Sequence, residues 1–187
     1  MDSVSGNEDA ATTMSITQPS SWPRNARTRD GVEYQVCPLH SETPQHEDVL
    51  LDKLSVSARY VRMTGLLREQ APQLPGSLIH VNYRREMALY AVVGTGADEN
   101  IVAVARYSGN PAYCEFAIAV AEEWRSRGIG TKLCELLFEY AKTHGVRRMF
   151  AVLRTGNDRM LKLATDLSMR IRMLPNDNMA VEAWRTL

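Results

Sequence analysis

The chain has 187 residues, of which 44% are hydrophobic and 24% are charged, proportions typical of a single globular domain. Lys and Arg together number 22, as do Asp and Glu, which argues against a nucleic-acid-binding protein that relies on bulk basic charge. No apolar run is long enough to span a bilayer or to act as a secretory signal, so we expect a cytoplasmic protein with neither membrane nor nucleic-acid partners.

The three cysteines, Cys37, Cys114 and Cys134, lie in apolar patterns, and no two of them form a CxxC motif. Buried, reduced thiols are therefore expected rather than a redox or metal-binding pair. The four histidines are scattered and show no metal-ligand spacing. The sequence thus predicts no metal site.

The chain begins with a segment that has no hydrophobic periodicity. Residues 1–28 are rich in Ser, Thr, Asn, Asp and Pro, which predicts a disordered tail ahead of one domain at 29–187. An Asp-Gly turn then introduces a strand over 32–37. A helix is predicted to begin at Thr43-Pro44, with proline at the first helical position, and a second helical piece is predicted over 57–67.

Three segments with strand character follow, over 87–93, 101–107 and 113–120, separated by short turns rich in Gly and Asn. The first two form a predicted hairpin, so the three strands are expected to pair antiparallel. The apolar period then changes to that of a helix that opens at Ile129, and Gly145 ends this helix as a left-handed C-terminal residue.

The last part of the chain alternates strands with one more helix. A strand is predicted over 148–153, a helix from Asn157 through Leu167, and two strands over 170–174 and 179–184. The helix ahead of the first of these strands implies a crossover between parallel neighbours. The predicted order corresponds to an α/β (α+β) domain with a mixed sheet and helices on its faces.

The start of the helix at Ile129 carries more charge and glycine than a helix cap needs. Arg125, Arg127, Gly128 and Gly130 lie within this short segment. Helix N-termini leave N–H groups without partners and carry positive potential, and glycine lets an anion approach the backbone closely. A diphosphate would suit this set, although a tight strand-to-helix turn with solvated arginines would use the same residues. The P-loop and dinucleotide-binding motifs are both absent.

This segment resembles the acyl-CoA pyrophosphate loop of the GNAT N-acetyltransferase superfamily, with the strand 115–120 before it and a helix bearing Asn157 after the next strand. The resemblance spans roughly residues 30–187, and segments 57–62 and 82–88 resemble the acetyltransferase domain of bacterial Pat-type protein lysine acetyltransferases. It implies the GNAT fold, a mixed and mostly antiparallel central sheet with a parallel pair at the cofactor cleft and helices on both faces.

The resemblance also implies acetyl-CoA as the cosubstrate. The glycine loop would bind its pyrophosphate, and the end of the strand before the loop would present backbone groups to its pantetheine arm. The implied cofactor contacts are Ala117, Ile118, Ala119, Val120, Arg125, Arg127, Gly128, Ile129, Gly130, Thr131 and Asn157.

Acetyl transfer to an amine needs a base, because the amine must be neutral to attack and a free lysine has a pKa of about 10.4. Glu115 shares one strand face with the small residues Ala117 and Ala119, which leaves room for a ligand. Pat-type enzymes place a catalytic glutamate on this strand, which makes Glu115 the implied base and Glu86 the alternative. A covalent route through Cys114 is disfavoured, because no basic residue adjoins it and its strand face is apolar.

Two positions depart from the family pattern. Many GNAT members carry a Tyr in the last helix that can protonate the leaving thiolate, where this chain has Ala164, and Ser168-Met169 stands where Gly-Phe is common. The sequence predicts an N-acetyltransferase that uses direct attack by a primary amine, with a protein lysine favoured over a small-molecule amine. A non-catalytic CoA-binding or sensory module is the alternative that the missing tyrosine leaves open.

Overall fold

The computed structural model describes residues 22–38 and 86–187. These residues form eight strands, β1 (Arg24–Arg27), β2 (Glu33–Pro38), β3 (Glu86–Val93), β4 (Asn100–Asn110), β5 (Tyr113–Val120), β6 (Arg148–Arg154), β7 (Arg170–Leu174) and β8 (Asp177–Thr186). They also form helices α1 (Ile129–Thr143) and α2 (Asp158–Asp166), with short 3-10 turns at Gly96–Asp98 and Glu122–Trp124. The helices predicted near residue 43 and over 57–67 lie outside the described residues.

All eight described strands belong to one sheet, in the order β1-β2-β3-β4-β5-β6-β8-β7. Every neighbouring pair is antiparallel except β5 and β6, which run parallel. Helix α1 connects those two strands, because parallel neighbours need a crossover rather than a tight turn. The predicted mixed, mostly antiparallel sheet with one parallel pair is therefore confirmed.

Apolar residues spaced four apart give α1 one buried stripe. Leu133 and Leu137 are both 0% exposed and pack in the main core. Phe138 meets Phe116 of β5 edge to face, with ring centres 5.0 Å apart, and so joins the helix to the sheet. As predicted, Gly145 follows the helix in a left-handed conformation, with φ of 79°.

The second described helix packs on the same side of the sheet as the first. Ala164 and Leu167, in and just after α2, belong to the core cluster that also contains Leu133 of α1 and Met149 of β6. The two helices contact each other directly. The expectation of helices on both faces involves the N-terminal helical segments as well, and these fall outside the residues described.

The predicted disordered tail extended too far along the chain. Arg24–Arg27, inside the segment assigned to the tail, form β1, which pairs antiparallel with β2 along its whole length. Its polar sequence has no apolar alternation, so pattern alone could not identify a strand. The partner strand and the core stabilise it instead, because Ala26 packs against the core and Thr28 is only 5% exposed.

Within residues 22–38 and 86–187, no helix is long and apolar enough to cross a membrane. No group of three or more His, Cys, Asp or Glu side chains in these segments is arranged to hold a metal ion.

The buried stripe of α1 predicts a large loss of stability on truncation. Leu137→Ala should lower the free energy of unfolding by about 2–5 kcal/mol, because it leaves a cavity between α1 and the sheet. Glu139→Ala, on the exposed side of the same helix, should change it by less than about 0.5 kcal/mol. Urea unfolding measures both variants, and equally small losses would contradict the packing described for α1.

Candidate active site and cofactor cleft

Strands β5 and β6 are paired along only a short stretch. Their parallel pairing joins Cys114 with Met149 and Glu115 with Phe150, and it stops there although β5 continues to Val120. A cavity of about 1070 Å³ lies where the strands part, lined by residues of β5, β6, α1 and α2. This volume is comparable with that of the largest small-molecule sites, roughly 1,000 Å³.

Most residues predicted to bind the cofactor line this cavity. They are Ile118, Ala119, Val120, Arg125, Gly128, Gly130, Thr131 and Asn157, and the predicted base Glu115 lines the cavity as well. Three members of the predicted set do not line it: Ala117, Arg127 and Ile129. Ala117 lies beside Arg106 of β4 in the sheet, and Ile129 is 0% exposed in the core.

The backbone that leads into α1 adopts two left-handed conformations. Ser126 and Gly128 have φ values of 61° and 91°, a region that glycine enters without steric strain. Gly128 is the N-cap of α1, and no side chain at this position bonds to the N–H groups of the first turn. These N–H groups are therefore left to water or to an anionic ligand.

Gly130 contributes through close packing. It lies in the first turn of α1, where an added Cβ would be 3.4 Å from Cδ1 of Ile118 and 3.6 Å from Cγ2 of Val120. The missing side chain lets the start of the helix lie close against β5, at the edge of the cavity. The two glycines of the loop are therefore needed for different reasons, Gly128 for its left-handed backbone and Gly130 for close packing against β5.

Arg125 stabilises the end of β5. Its Nε donates to the carbonyl oxygen of Val120 at 3.1 Å, and its Nη1 donates to Oε1 of Glu122 at 3.3 Å. The side chain is 18% exposed and lines the cavity. Because these contacts hold the guanidinium in place, Arg125 adds a fixed positive charge to the cavity wall.

Arg127 has a different environment. Its Nη1 donates to Oδ2 of Asp30 at 3.0 Å, and its guanidinium carbon lies 4.8 Å from the centre of the Trp124 ring. The ion pair and the cation–π contact hold it against the turn between β1 and β2. Arg127 therefore lies outside the lining of the cavity, and its contact with the cofactor stays a prediction.

Asn157 is the N-cap of α2. Its Oδ1 accepts a hydrogen bond from the backbone N–H of Met160 at 3.2 Å, which explains an asparagine at this position. The same side chain lines the cavity. Its oxygen accepts the hydrogen bond of the cap, and its amide N–H groups are the ones that could donate to a ligand.

Glu115 is the last residue of β5 that pairs with β6, and it lines the cavity. Its side chain is partly buried, and this burial raises the pKa of its carboxyl group from 4.5 to about 7. A carboxyl group with this pKa is partly ionised at neutral pH and can accept a proton from an amine.

The two alternative groups are less well placed. Oε2 of Glu86 accepts a hydrogen bond from Arg106 at 2.6 Å, and Glu86 lies two strands from Glu115, about 10 Å away at the usual strand spacing. Cys114 is 1% exposed, and its Sγ donates to the carbonyl oxygen of Asn110 at 3.0 Å. Burial also raises the pKa of the Cys114 thiol, which disfavours the thiolate. Neither residue lines the cavity.

A phenol that could protonate a leaving thiolate is not found in the cavity. No tyrosine of the described segments lines it. Ala164, at the position where the resemblance of the sequence implies a tyrosine, is 3% exposed and packs in the core. Among the described residues, no other tyrosine in the cavity therefore replaces the one that the resemblance implies at position 164.

Several cavity residues carried no signal in the sequence. Phe150 and Val152 of β6, Met179 of β8 and Arg29 from the β1–β2 turn are examples. Phe150 stacks on Tyr113, with ring centres 4.0 Å apart and planes inclined by 11°. These residues become neighbours only through pairing of the strands, so no local spacing could identify them.

Comparison with known proteins gives the family. Residues 58–168 match the acetyltransferase (GNAT) family. The chain belongs to the GNAT acetyltransferase family. It is therefore an acyltransferase, as predicted from the sequence. An acetyltransferase of Pseudomonas aeruginosa is 27% identical over 154 residues, which cover 81% of this chain and 83% of that protein.

Solved structures share the fold of this GNAT member. The GNAT domain of S. lividans PAT is similar with a TM-score of 0.77 and 21% identity, over 91% of this chain and 100% of that domain. A cAMP-binding acyltransferase from Mycobacterium smegmatis is similar with a TM-score of 0.59 and 20% identity, over 88% of this chain and 47% of that chain. These likenesses confirm the predicted GNAT fold.

The pKa of Glu115 predicts a pH-dependent effect on stability. Because its folded pKa of about 7 exceeds the ordinary 4.5, folding favours the protonated form, and this contribution is complete below about pH 4.5 and lost as pH rises through about 7. Glu115→Gln cannot ionise, so its melting temperature should match the wild type near pH 4.5. Its advantage should then grow up to about pH 7 and level off.

Thermal unfolding of the wild type and Glu115→Gln across that pH range checks this expectation. Glu123→Gln, at an exposed position next to the loop, is the matched control and should show no such trend. A difference between Glu115→Gln and the wild type that does not vary with pH would contradict the raised pKa.

Proposed function

We propose that this GNAT member transfers an acetyl group from acetyl-CoA to a primary amine, with a protein lysine as the acceptor and Glu115 as the general base. The observation that carries the proposal is the position of Glu115. It is a partly buried carboxyl group that lines the cavity where β5 and β6 part, and its pKa of about 7 suits proton transfer at neutral pH.

Two parts of acetyl-CoA, its pyrophosphate and its pantetheine arm, would contact different parts of the cavity lining. The pyrophosphate would meet the first-turn N–H groups of α1 and the charge of Arg125. The pantetheine arm would run along the edge of β5 beyond Glu115, where pairing with β6 has stopped and backbone groups are available. This orientation would bring the thioester next to Glu115.

The proposed reaction is a direct displacement in a complex that holds both substrates. Glu115 takes a proton from the ammonium group, and the neutral amine attacks the thioester carbonyl. The new C–N bond forms and the C–S bond breaks. The proton that the acylated nitrogen then loses passes to the departing thiolate, directly or through water, so that CoA leaves as the thiol. A backbone N–H at the strand edge would stabilise the charge that develops on the carbonyl oxygen.

The acceptor is proposed from the surface next to Glu115. Phe150 and Val152 lie on the same side of the sheet as Glu115 and line the cavity. An apolar wall of this kind suits the methylene stem of a lysine, whose amine would then reach the carboxylate. The resemblance to Pat-type protein lysine acetyltransferases favours the same acceptor.

A transfer assay tests the proposal as a whole. Purified protein is mixed with acetyl-CoA and, separately, with lysine peptides and small amines, and thiol release and acetyl-lysine are measured. Transfer to peptides is the expected result, and transfer only to small amines would overturn the lysine acceptor. Binding of CoA without transfer to any amine would favour a non-catalytic CoA-binding module.

A negative charge introduced at the start of α1 should weaken CoA binding. Gly128→Asp places a carboxylate at the N-cap, where it can bond to the N–H groups that an anion would use. We expect CoA to bind at least about tenfold more weakly, as for the loss of one charge-assisted hydrogen bond.

Gly145→Asp is the control for the loop variant. It makes the same substitution at a left-handed glycine just after the other end of α1, with nothing within 4 Å of an added Cβ. Calorimetric titration with CoA compares the two folded proteins. Unchanged affinity in Gly128→Asp would reject the cofactor site.

Removal of the base should affect turnover rather than binding. Glu115→Gln is expected to reduce turnover by about 10²-fold or more at pH 7 while CoA affinity stays nearly unchanged. The deficit should shrink as pH rises, because the amine then loses its proton without assistance. Glu86→Gln should keep most of the turnover, since its carboxylate is engaged by Arg106.

Rates of both variants across a pH series provide the measurement. Near-normal turnover of Glu115→Gln at pH 7 together with a deficient Glu86→Gln would transfer the role of base to Glu86.

A further inference from the structure

The turn between β1 and β2 is bonded to the loop that opens α1. The backbone N–H of Arg29 donates to the carbonyl oxygen of Arg127 at 2.9 Å, and the adjacent Asp30 pairs with the Arg127 guanidinium at 3.0 Å. Two consecutive residues of the turn therefore hold one residue of the loop, which fixes the position of the turn at the rim of the cleft.

The turn itself is well defined by its own hydrogen bonds. The N–H of Thr28 donates to the carbonyl oxygen of Val32 at 2.9 Å, and Oγ1 of Thr28 accepts from the N–H of Val32 at 2.8 Å. Gly31 closes the turn with a left-handed φ of 89° and an N–H bonded to the Thr28 carbonyl at 3.0 Å. The backbone of Arg29, between them, is consequently pre-positioned.

The side chain of Arg29 runs along the glycine of the loop. A Cβ added at Gly128 would lie 3.5 Å from Cγ, 3.6 Å from Nε and 4.0 Å from Cδ of Arg29. Arg29 also lines the cavity, unlike Arg127. Among the described residues no carboxylate pairs with Arg29, whereas Arg127 is neutralised by Asp30.

We propose that Arg29 binds the pyrophosphate of the cofactor from outside the glycine loop. The proposal rests on the function proposed above, because it needs acetyl-CoA in this cleft. The first-turn N–H groups of α1 would contact the diphosphate from one side, and the guanidinium of Arg29 would contact it from the side of the β1–β2 turn. A guanidinium presents paired N–H donors that match phosphate oxygens, which an exposed lysine would not reproduce.

This arrangement makes the β1–β2 hairpin part of the cofactor site. Cofactor binding would then stabilise the hairpin, because a ligand that binds only the folded form shifts the equilibrium toward it. The contribution would also weaken with salt, since Arg29 is exposed and its charge is screened.

Calorimetric titration of Arg29→Ala and Arg29→Lys with CoA and with dephospho-CoA tests the proposal. We expect Arg29→Ala to bind both ligands about ten- to a hundredfold more weakly, with Arg29→Lys between it and the wild type. Equal losses for the two ligands are expected because both carry the pyrophosphate. A loss confined to CoA would overturn the assignment, since it would move Arg29 to the 3′-phosphate.

Arg27→Ala is the matched control, because Arg27 lies on the same hairpin, is 65% exposed and pairs with Glu33. It should bind CoA as the wild type does, and all variants should melt at the same temperature without ligand. If Arg29→Ala binds CoA with wild-type affinity while Gly128→Asp still weakens binding, the role of Arg29 is overturned and the cofactor site is retained. If neither variant weakens binding, the cofactor site itself is wrong.

Discussion

The cleft depends on the early end of the pairing between β5 and β6. Strand β5 pairs with β4 from Tyr113 to Val120, and β6 pairs with β8 from Arg148 to Arg154, so each belongs to its own antiparallel half of the sheet. The halves meet in only two residue pairs. Beyond them the facing backbone edges need other hydrogen-bond partners. A long ligand with amide groups can supply these partners, which suits the arm of CoA better than a compact molecule.

Glu115 lies at this junction, and its burial there raises the pKa of its carboxyl group. Its pairing partner on the neighbouring strand β6 is Phe150, which stacks on Tyr113. The hydroxyl of Tyr113 donates to the buried Glu182 of β8. Glu182 also accepts from Nε of Arg172 at 2.7 Å, so these contacts hold the two rings across the junction of the half-sheets. Apolar rings solvate a carboxylate poorly, and burial raises the pKa of Glu115. The junction of the half-sheets therefore holds both the cavity and the carboxyl group proposed as the base.

The sequence predicted those elements that their own residues determine. The strands expected at 113–120 and 170–174 have the bounds of β5 and β7, and Asn157 was placed at the start of α2, where it forms the cap. The strand expected at 101–107 is longer in the structure, because pairing with both neighbours extends β4 to Asn100–Asn110. Strand β1 was not predicted, because its polar residues form a strand only when they pair with β2 and when Ala26 packs against the core.

The arginines of the loop show why charge in a sequence does not identify a ligand contact. Arg125 and Arg127 look equivalent, yet the left-handed Ser126 between them changes the direction of the chain. Arg125 is held at the end of β5, whereas Arg127 reaches Asp30, 97 residues away in the chain. That pairing exists only because the hairpin folds against the loop, and the same contact brings Arg29 to the cavity. Tertiary contacts of the loop, rather than its composition, therefore decide which positive charges line the cavity.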